Sequence, residues 1–302
     1  MRAGIAVSSL LLLSMTATAA HATSADVVVV VSSRTGAFGD ALAAINRDLA
    51  GRALLIDISA LGRQQAAVEI QASPAKVTLA VGPLASQVAY SAAPERPLVY
   101  CLLPNARRRG FNDKQNVRGV PLAVAPRELL SAVRSALPSA RRVAALYDPG
   151  ESEREIKRAK TDAKKAGLML VPQPVASSAE LSAAVERAFK RGDAVWLLPD
   201  RVVSSRESLR YNLLKSFEPQ VPVIAAIEAQ ARQGAFMAVM PDPAAHGHAA
   251  AAMARAVADG VVLAEAAAPD TGVVTVINLR TATRMGLRVP DGALRTAGSV
   301  IK

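Results

Sequence analysis

Short polar side chains follow the apolar, strand-like runs of this sequence, and such residues bind small charged molecules. Ser33 and Thr35 follow a run of five valines, and Asp200 follows the run AVWLLP. Hydroxyl groups beside the free N–H groups of a helix start suit a carboxylate, whereas a carboxylate side chain suits an ammonium group. The six residues that we expect to contact a ligand are Ser33, Thr35, Gly82, Asp148, Ser152 and Asp200.

The first three of these residues lie in two loops that follow the first and the third strand-like runs. The loop SSRTG, which contains Ser33 and Thr35, precedes a helix-like segment. Its hydroxyl groups could bind a carboxylate, or they could form an ordinary cap or turn. In the loop VGPLAS, Leu84 offers no side-chain donor. We therefore expect a contact at Gly82 to involve the backbone.

The other three residues also have two interpretations each. In the stretch LYDPGESERE, Asp148 fits the N-cap of a helix that tolerates Pro149 in its first turn. The same stretch lies at a strand end, where Ser152 and backbone groups could reach a ligand. Asp200 could receive an ammonium group, or it could cap a helix beginning near Val203.

Motifs for catalysis and for cofactor binding are missing. The sequence contains neither G-x-G-x-x-G nor G-x-x-x-x-G-K-(S/T), so it lacks these two phosphate-binding loops. His246 and His248 form an H-x-H motif without nearby metal-binding partners, and we expect them to be solvated or to cap a helix. We therefore expect no catalytic residue, no metal and no cofactor.

The N-terminus has the three parts of a secretory signal peptide. Arg2 supplies a positive charge, residues 5–13 are largely apolar, and Ala20-His21-Ala22 forms an A-x-A cleavage site. We expect residues 1–22 to be removed and the mature chain to act in the periplasm. No other stretch predicts a membrane-spanning helix.

Composition narrows the choice of partner. The net charge is +11, but the basic residues are spread out and lack interleaved aromatic residues, so we do not expect nucleic-acid binding. Cys101 is the single cysteine, which excludes an intramolecular disulfide, and its apolar neighbours predict that it is buried.

Strand-like and helix-like segments alternate through most of the chain, which predicts an α/β fold with parallel sheets. A polar, basic segment, 105–118, separates two such series. We expect two doubly wound lobes joined by a hinge. Lobe I would comprise residues 23–118 and about 242–275, and lobe II residues 119–241 and about 276–302.

The second series resembles the ABC-transporter substrate-binding proteins of the tryptophan/tyrosine-type group. The motifs that carry the resemblance are Gly119-Val120, Leu137-Pro138, Ala140-Arg141-Arg142-Val143, Leu146-Tyr147-Asp148-Pro149, Leu197–Asp200, Val221-Pro222-Val223, Gly234-Ala235 and VINLRTATRMGLRVPDGAL. They cover the chain from about Arg118 to the end. The loop SSRTG departs from the acidic or aromatic loop of family members.

This resemblance implies a type I periplasmic-binding-protein fold and a ligand held between the lobes. The expected function is a monomeric periplasmic receptor for an amino acid or similar small anion or zwitterion, with an ABC permease as its partner. An alternative is a sensor or interaction module of the same fold without a transport role. An enzyme on this fold is a third possibility, because fold alone does not exclude chemistry.

Overall fold

The computed structural model describes residues 25–104, 106, 109–111, 114–265 and 271–302. The expected signal peptide, 1–22, lies outside the described residues. Two sheets with helices on both faces form two lobes, as the alternation of elements predicted.

The first sheet contains five strands, all parallel, in the order β2-β1-β3-β4-β5. The strands are β1 Val27–Val31, β2 Ala53–Asp57, β3 Val77–Val81, β4 Leu98–Cys101 and β5 Val117–Gly119. The helices that alternate with them are α1 Gly36–Asp48, α2 Ile58–Leu61, α3 Arg63–Ala72 and α4 Pro83–Ala92.

The five valines of β1 explain why this strand is central. All five are fully buried, with odd-numbered valines on one face of the sheet and even-numbered ones on the other. When helices cover both faces of a sheet, its strands are continuous apolar runs and do not alternate apolar with polar residues. The buried residue Cys101 belongs to the same core, as expected.

The second sheet contains seven strands in the order β12-β11-β10-β9-β8-β6-β7. The strands are β6 Arg142–Tyr147, β7 Met169–Pro174, β8 Ala194–Leu197, β9 Val223–Ala225, β10 Met237–Pro241, β11 Val273–Asn278 and β12 Ser299–Ile301. Only the pair β10 and β11 is antiparallel among the paired strands of the described residues.

Eight α-helices follow β5 in the described part of the chain, together with two short 3-10 helices, Ser178–Glu180 and Leu263–Glu265. The α-helices are α5 Pro126–Ala136, α6 Pro149–Lys165, α7 Leu181–Arg191, α8 Arg206–Phe217, α9 Glu228–Arg232, α10 Pro243–Ala258, α11 Leu279–Arg284 and α12 Asp291–Thr296. Helix α10 packs on α1 and on the first sheet, although it follows the fifth strand of the second sheet in sequence. We use "lobe I" for the first sheet with α1–α4 and α10, and "lobe II" for the second sheet with the remaining helices.

One detail differs from the sequence-based expectations. Helix α8 begins at Arg206 rather than near Val203, and Ser205 caps it by accepting a bond from Ser208 N–H. Helix α9 has only five residues, which are too few to show helical periodicity in the sequence. Helix α10 begins at Pro243, directly after its N-cap residue Asp242.

Candidate functional site

The carboxyl ends of β1 and β3 lie side by side in lobe I, and Ser32 joins them. Its hydroxyl group donates to the carbonyl of Val81 at 3.0 Å and accepts a bond from Ala85 N–H at 2.9 Å. Ser32 is therefore a structural link between the two strand ends. The next hydroxyl groups along the loop remain available.

Ser33 and Thr35 form a hydroxyl pair at the start of α1. Their oxygens are 3.1 Å apart, and Thr35 N–H donates to Ser33 Oγ at 3.3 Å. Thr35 is the N-cap residue of α1, but its side chain makes no capping bond. The first turn of α1 contains no acidic residue. These hydroxyl groups thus lie beside the positive end of a helix dipole, where an anion is stabilised.

Gly82 lets an aromatic ring approach Ser32, the residue before this hydroxyl pair. Its φ is +91°, and a Cβ atom there would lie 2.8 Å from Ser32 Oγ and 2.9 Å from Cε1 of Phe38. Only glycine combines this φ with so close an approach. The half-buried ring of Phe38 therefore lies at the carboxyl end of β3.

Arg34, the basic residue of the loop SSRTG, already forms an ion pair. Arg34 Nε donates to Asp57 Oδ2 at 2.7 Å, at the carboxyl end of β2. Burial alone would raise the pKa of Asp57, but bonds from Ser59 and Arg34 outweigh it and hold the pKa below its usual range. Asp57 is therefore ionised at neutral pH.

In lobe II, Asp200 joins the carboxyl ends of β6 and β8. Its Oδ2 accepts bonds from Asp148 N–H at 2.6 Å and from Ser152 Oγ at 3.4 Å, and its Oδ1 accepts one from Val203 N–H at 3.0 Å. Asp200 is 2% exposed. Its carboxylate is thus used within the protein, although its charge still acts on the surroundings.

Asp148 and Ser152 lie against this carboxylate. Asp148 is the N-cap of α6, where its Oδ1 accepts a bond from Gly150 N–H at 2.9 Å, as the sequence predicted. Both residues are buried. The structure therefore brings Asp148, Ser152 and Asp200 together in one cluster, separate from the hydroxyl pair of lobe I.

Glu155 is a member of this cluster that the sequence-based list omitted. Burial, with repulsion from Asp200, raises the pKa of Glu155 to about 7, while Arg158 opposes the shift. Burial also raises the pKa of Asp200 against the effect of its backbone hydrogen bonds. The spacing could have indicated Glu155, because residues 148, 152 and 155 share one face of a helix.

We expected both histidines to be solvated or to cap a helix, and this was wrong for His246. His248 lies at the surface and contacts Asp48, with Nδ1 and Oδ2 2.7 Å apart. His246 is fully buried instead of solvated. Within the described residues, no group of three or more His, Cys, Asp or Glu side chains could hold a metal ion.

Two surface grooves lie between helices and away from the six expected ligand contacts. One, of about 260 Å³, lies between α3 and α4, and the other, of about 380 Å³, lies between α7 and α8. Neither is lined by any of the six residues. In open parallel sheets, ligands bind outside the carboxyl ends of the strands, so these strand ends remain the candidate site.

Two α/β lobes, each built on a largely parallel sheet and connected by several chain crossings, are the architecture of the type I periplasmic-binding-protein fold. A family model described as "ABC transporter substrate binding protein" matches residues 37–301. The chain belongs to this family. The match includes lobe I, where the sequence motifs were weakest. A search of curated proteins gave no match.

Solved structures share the fold at low sequence identity. An ABC domain in complex with L-Trp from Streptococcus pneumonia is 20% identical, with a TM-score of 0.57, and the match covers 91% of this chain and 100% of that one. A ligand-free, open substrate binding protein with adhesive properties from Clostridium difficile is 16% identical, with a TM-score of 0.69 and coverage of 91% and 99%. A conserved domain protein from Vibrio cholerae is 19% identical, with a TM-score of 0.58 and coverage of 92% and 99%.

The family binds small ligands for ABC transporters. None of the helices in the described ranges is both long enough and apolar enough to cross a membrane.

Proposed function

We propose that this chain is a monomeric periplasmic receptor that closes its two lobes on a small zwitterion and delivers it to an ABC permease. The ligand class is an α-amino acid or a molecule with the same pair of charged groups. Residues 1–22 would direct export and then be removed. The family membership supports transport, and the charges at the strand ends support the ligand class.

The observation that carries the ligand class is the opposite chemistry of the two strand-end regions. Lobe I offers the hydroxyl groups of Ser33 and Thr35 at a helix N-terminus without acidic residues. Lobe II offers a cluster of carboxyl groups around Asp200. A carboxylate toward lobe I and an ammonium group toward lobe II would satisfy both.

The ring of Phe38 supports a flat, apolar ligand side chain. The ring lies beside Gly82 and Ser32, and the missing side chain of Gly82 lets it approach the strand end. An aromatic ring stacks well on such a surface. The S. pneumonia protein described above was solved with L-Trp, so L-tryptophan is a sensible first probe here.

Closure would follow from contacts that only the closed state makes. A ligand that bridges the two lobes binds the closed state more tightly than the open one, and this difference shifts the population. Each lobe alone would supply half of the charge complementarity. The receptor would then present a closed form to the permease.

A thermal-shift screen of amino acids and small carboxylates tests the proposal. A ligand at about 100 times its dissociation constant stabilises the folded state by about 2.7 kcal/mol. L-tryptophan should be compared with tryptamine, which lacks the carboxylate, and with indole-3-propionate, which lacks the amine. We expect the zwitterion to stabilise most. Equal stabilisation by either analogue, or none by any compound, would contradict the ligand class.

The transport role needs a separate measurement. A permease and ATPase that transport the ligand found in the screen, reconstituted in vesicles, should hydrolyse ATP faster when the ligand-loaded protein is added. A ligand that binds tightly without any such stimulation would favour a sensor or interaction module.

A further inference from the structure

Three segments connect the lobes, and any lobe motion must rotate about them. The first runs from 120 to 125, between β5 and α5. The second, 241–246, joins β10 to α10 and includes the first turn of that helix. The third leads into β11, and its described part is Thr271 and Gly272. A side-chain contact between two of these segments would restrict the hinge.

His246 makes such a contact. It lies in the first turn of α10, and its N–H donates to the carbonyl of Asp242 at 3.0 Å. Its Nε2 lies 3.0 Å from Oγ1 of Thr271. The imidazole therefore connects the second crossover to the third. Next to His246, helix α10 packs closely on α1. A Cβ at Gly247 would lie only 2.3 Å from the carbonyl oxygen of Ala41 in α1.

The other ring nitrogen of His246 is buried without a hydrogen-bond partner among the described residues. In a neutral ring, one such polar atom costs little more than a lost hydrogen bond. In a protonated ring, both nitrogens are donors. A charged N–H group would then be buried without an acceptor among the described residues, which is far more costly. This hinge geometry therefore suits the neutral imidazole only.

The charged groups around the ring do not reverse this preference. Asp242 favours the protonated ring, but burial outweighs it and lowers the pKa of His246. The strands that pack on α10 present apolar side chains and the thiol of Cys101, which burial keeps protonated by raising its pKa to about 12. On α1, Asp48 is occupied by His248.

We propose that His246 and Thr271 form a latch between two hinge segments, and that protonation of His246 releases it. Release would give the charged nitrogen access to water in a different hinge arrangement. The protein would thus change the relative position of its lobes with pH, independently of any ligand.

The direction of the pH effect follows from linkage. The folded-state pKa of His246 is below its ordinary value of 6.5. The arrangement in which His246 is bonded to Thr271 is therefore most stable above about pH 6.5. Its stability falls as the pH falls below that value. Exposure to mild acid outside the cytoplasm would move the hinge.

The latch can be tested on the full mature chain without ligand. Spin labels are attached to cysteines introduced at two exposed positions, Gln87→Cys in α4 and Lys160→Cys in α6. Double electron–electron resonance then measures the distance between the lobes. The distance distribution is recorded at about pH 7.5 and about pH 5.5, on either side of an ordinary histidine pKa. Cys101 is buried and should not be labelled.

Three variants separate the latch from general acid effects. In the labelled parent, the distribution should shift between the two pH values. His246→Gln keeps an acceptor or donor near Thr271 but does not titrate, so its distribution should not shift. Thr271→Val removes the partner and should show the shifted distribution already at about pH 7.5. His248→Gln, at the other described histidine, should behave like the parent.

A parent distribution that does not change with pH would overturn the latch. A shift that persists in His246→Gln, or that disappears in His248→Gln, would also overturn it. If His246→Gln does not fold, as judged by its thermal melt, Thr271→Val decides the question. If Thr271→Val shows the distribution of the parent at about pH 7.5 at both pH values, the proposal is contradicted.

Discussion

The strand-end regions of the two lobes differ in how their polar groups are used. In lobe I, the hydroxyl groups of Ser33 and Thr35 lie at the surface and contact each other. In lobe II, the carboxylate of Asp200 is 2% exposed and accepts bonds from the backbone of both neighbouring loops. The lobe I groups are free for a ligand, whereas those of lobe II also maintain the structure.

This difference separates two kinds of contribution to binding. An exposed hydroxyl group can be removed with little effect on folding. A buried carboxylate that joins two strand ends cannot, because its donors would be left unpaired. Lobe II would attract an ammonium group through the combined charge of its cluster, while its stability depends on the same residues.

The largest expected effect is the loss of the Asp200 carboxylate. Asp200→Ala leaves the N–H groups of Asp148 and Val203 without an acceptor in a buried site. We expect the free energy of unfolding to fall by about 3 kcal/mol. Urea denaturation at neutral pH measures it. Alanine at Asp40, an exposed residue of lobe I, is the matched control.

The control should change stability by less than about 0.5 kcal/mol. If Asp200→Ala had an equally small effect, the carboxylate would not be structural. The contrast between the lobes would then disappear, and Asp200 would be a ligand contact alone.

The next largest effect tests the close approach of Phe38 in lobe I. Gly82→Ala adds a Cβ that lies within 3 Å of both Ser32 and Phe38, at a φ of +91°. We expect a loss of about 2 kcal/mol from strain and displacement of the ring. Gly62→Ala is a matched control, because Gly62 has nearly the same backbone angles (φ +79° and ψ 165°, against +91° and 172° at Gly82) and no atom lies within 4 Å of the new Cβ.

The control should lose about 1 kcal/mol of unfolding free energy, the cost of this backbone conformation alone. The difference between the two variants, measured by thermal denaturation, isolates the contact with Ser32 and Phe38. Equal losses would mean that the ring moves freely, and Phe38 would no longer support a stacked ligand.

A third test uses the pH dependence of the acidic cluster in lobe II. The pKa of Glu155 is raised to about 7 by burial and by Asp200. The folded state therefore binds this proton more tightly than the unfolded state, so stability falls as the pH rises from about 4.5 to about 7. Glu155→Gln removes the free-energy cost of ionising this buried carboxyl group in the folded state. It should stabilise the protein by about 1–2 kcal/mol at about pH 8 and hardly at all at about pH 4.

Urea denaturation of the parent and of Glu155→Gln across this pH range measures the difference. Glu207→Gln, at an exposed position of α8, controls for the loss of an acidic residue in general. A gain that is the same at both ends of the range would mean that Glu155 does not titrate near neutrality.

Much of this comparison could be predicted from the sequence, because strand ends follow from hydrophobic patterning. The five valines of β1 and the run before Asp200 placed the polar residues at the correct edges of both sheets. The N-cap role of Asp148 followed from the local motif alone.

The remainder depends on tertiary packing, which patterning does not contain. Asp200 accepts a bond from Asp148, 52 residues away, so its structural role needs the order of the strands. The burial of His246 depends on where α10 packs, and helix α10 returns to the first sheet across a lobe boundary. An acidic group such as Glu155 acquires its raised pKa only from neighbours that the fold brings together.

The smallest expected effect on stability, and the sharpest on binding, belongs to the hydroxyl pair of lobe I. Ser33→Ala combined with Thr35→Val removes two surface hydroxyl groups that bond mainly to each other. Stability should change by less than about 0.5 kcal/mol. Ser32→Ala is the neighbouring comparison, because it breaks the link between β1 and β3 and should cost about 1 kcal/mol or more.

The two variants should rank in the opposite order by their effect on ligand affinity, with the larger loss in the double variant. The double variant should bind the zwitterion found in the thermal-shift screen about tenfold more weakly, since two hydroxyl contacts to a carboxylate contribute about 1.4 kcal/mol or more. Ser32→Ala should retain most of the affinity, because its hydroxyl faces the strand ends. Isothermal titration calorimetry measures both. If affinity fell for Ser32→Ala and not for the double variant, the carboxylate would not lie at the start of α1, and the two lobes would not divide the ligand's charges between them.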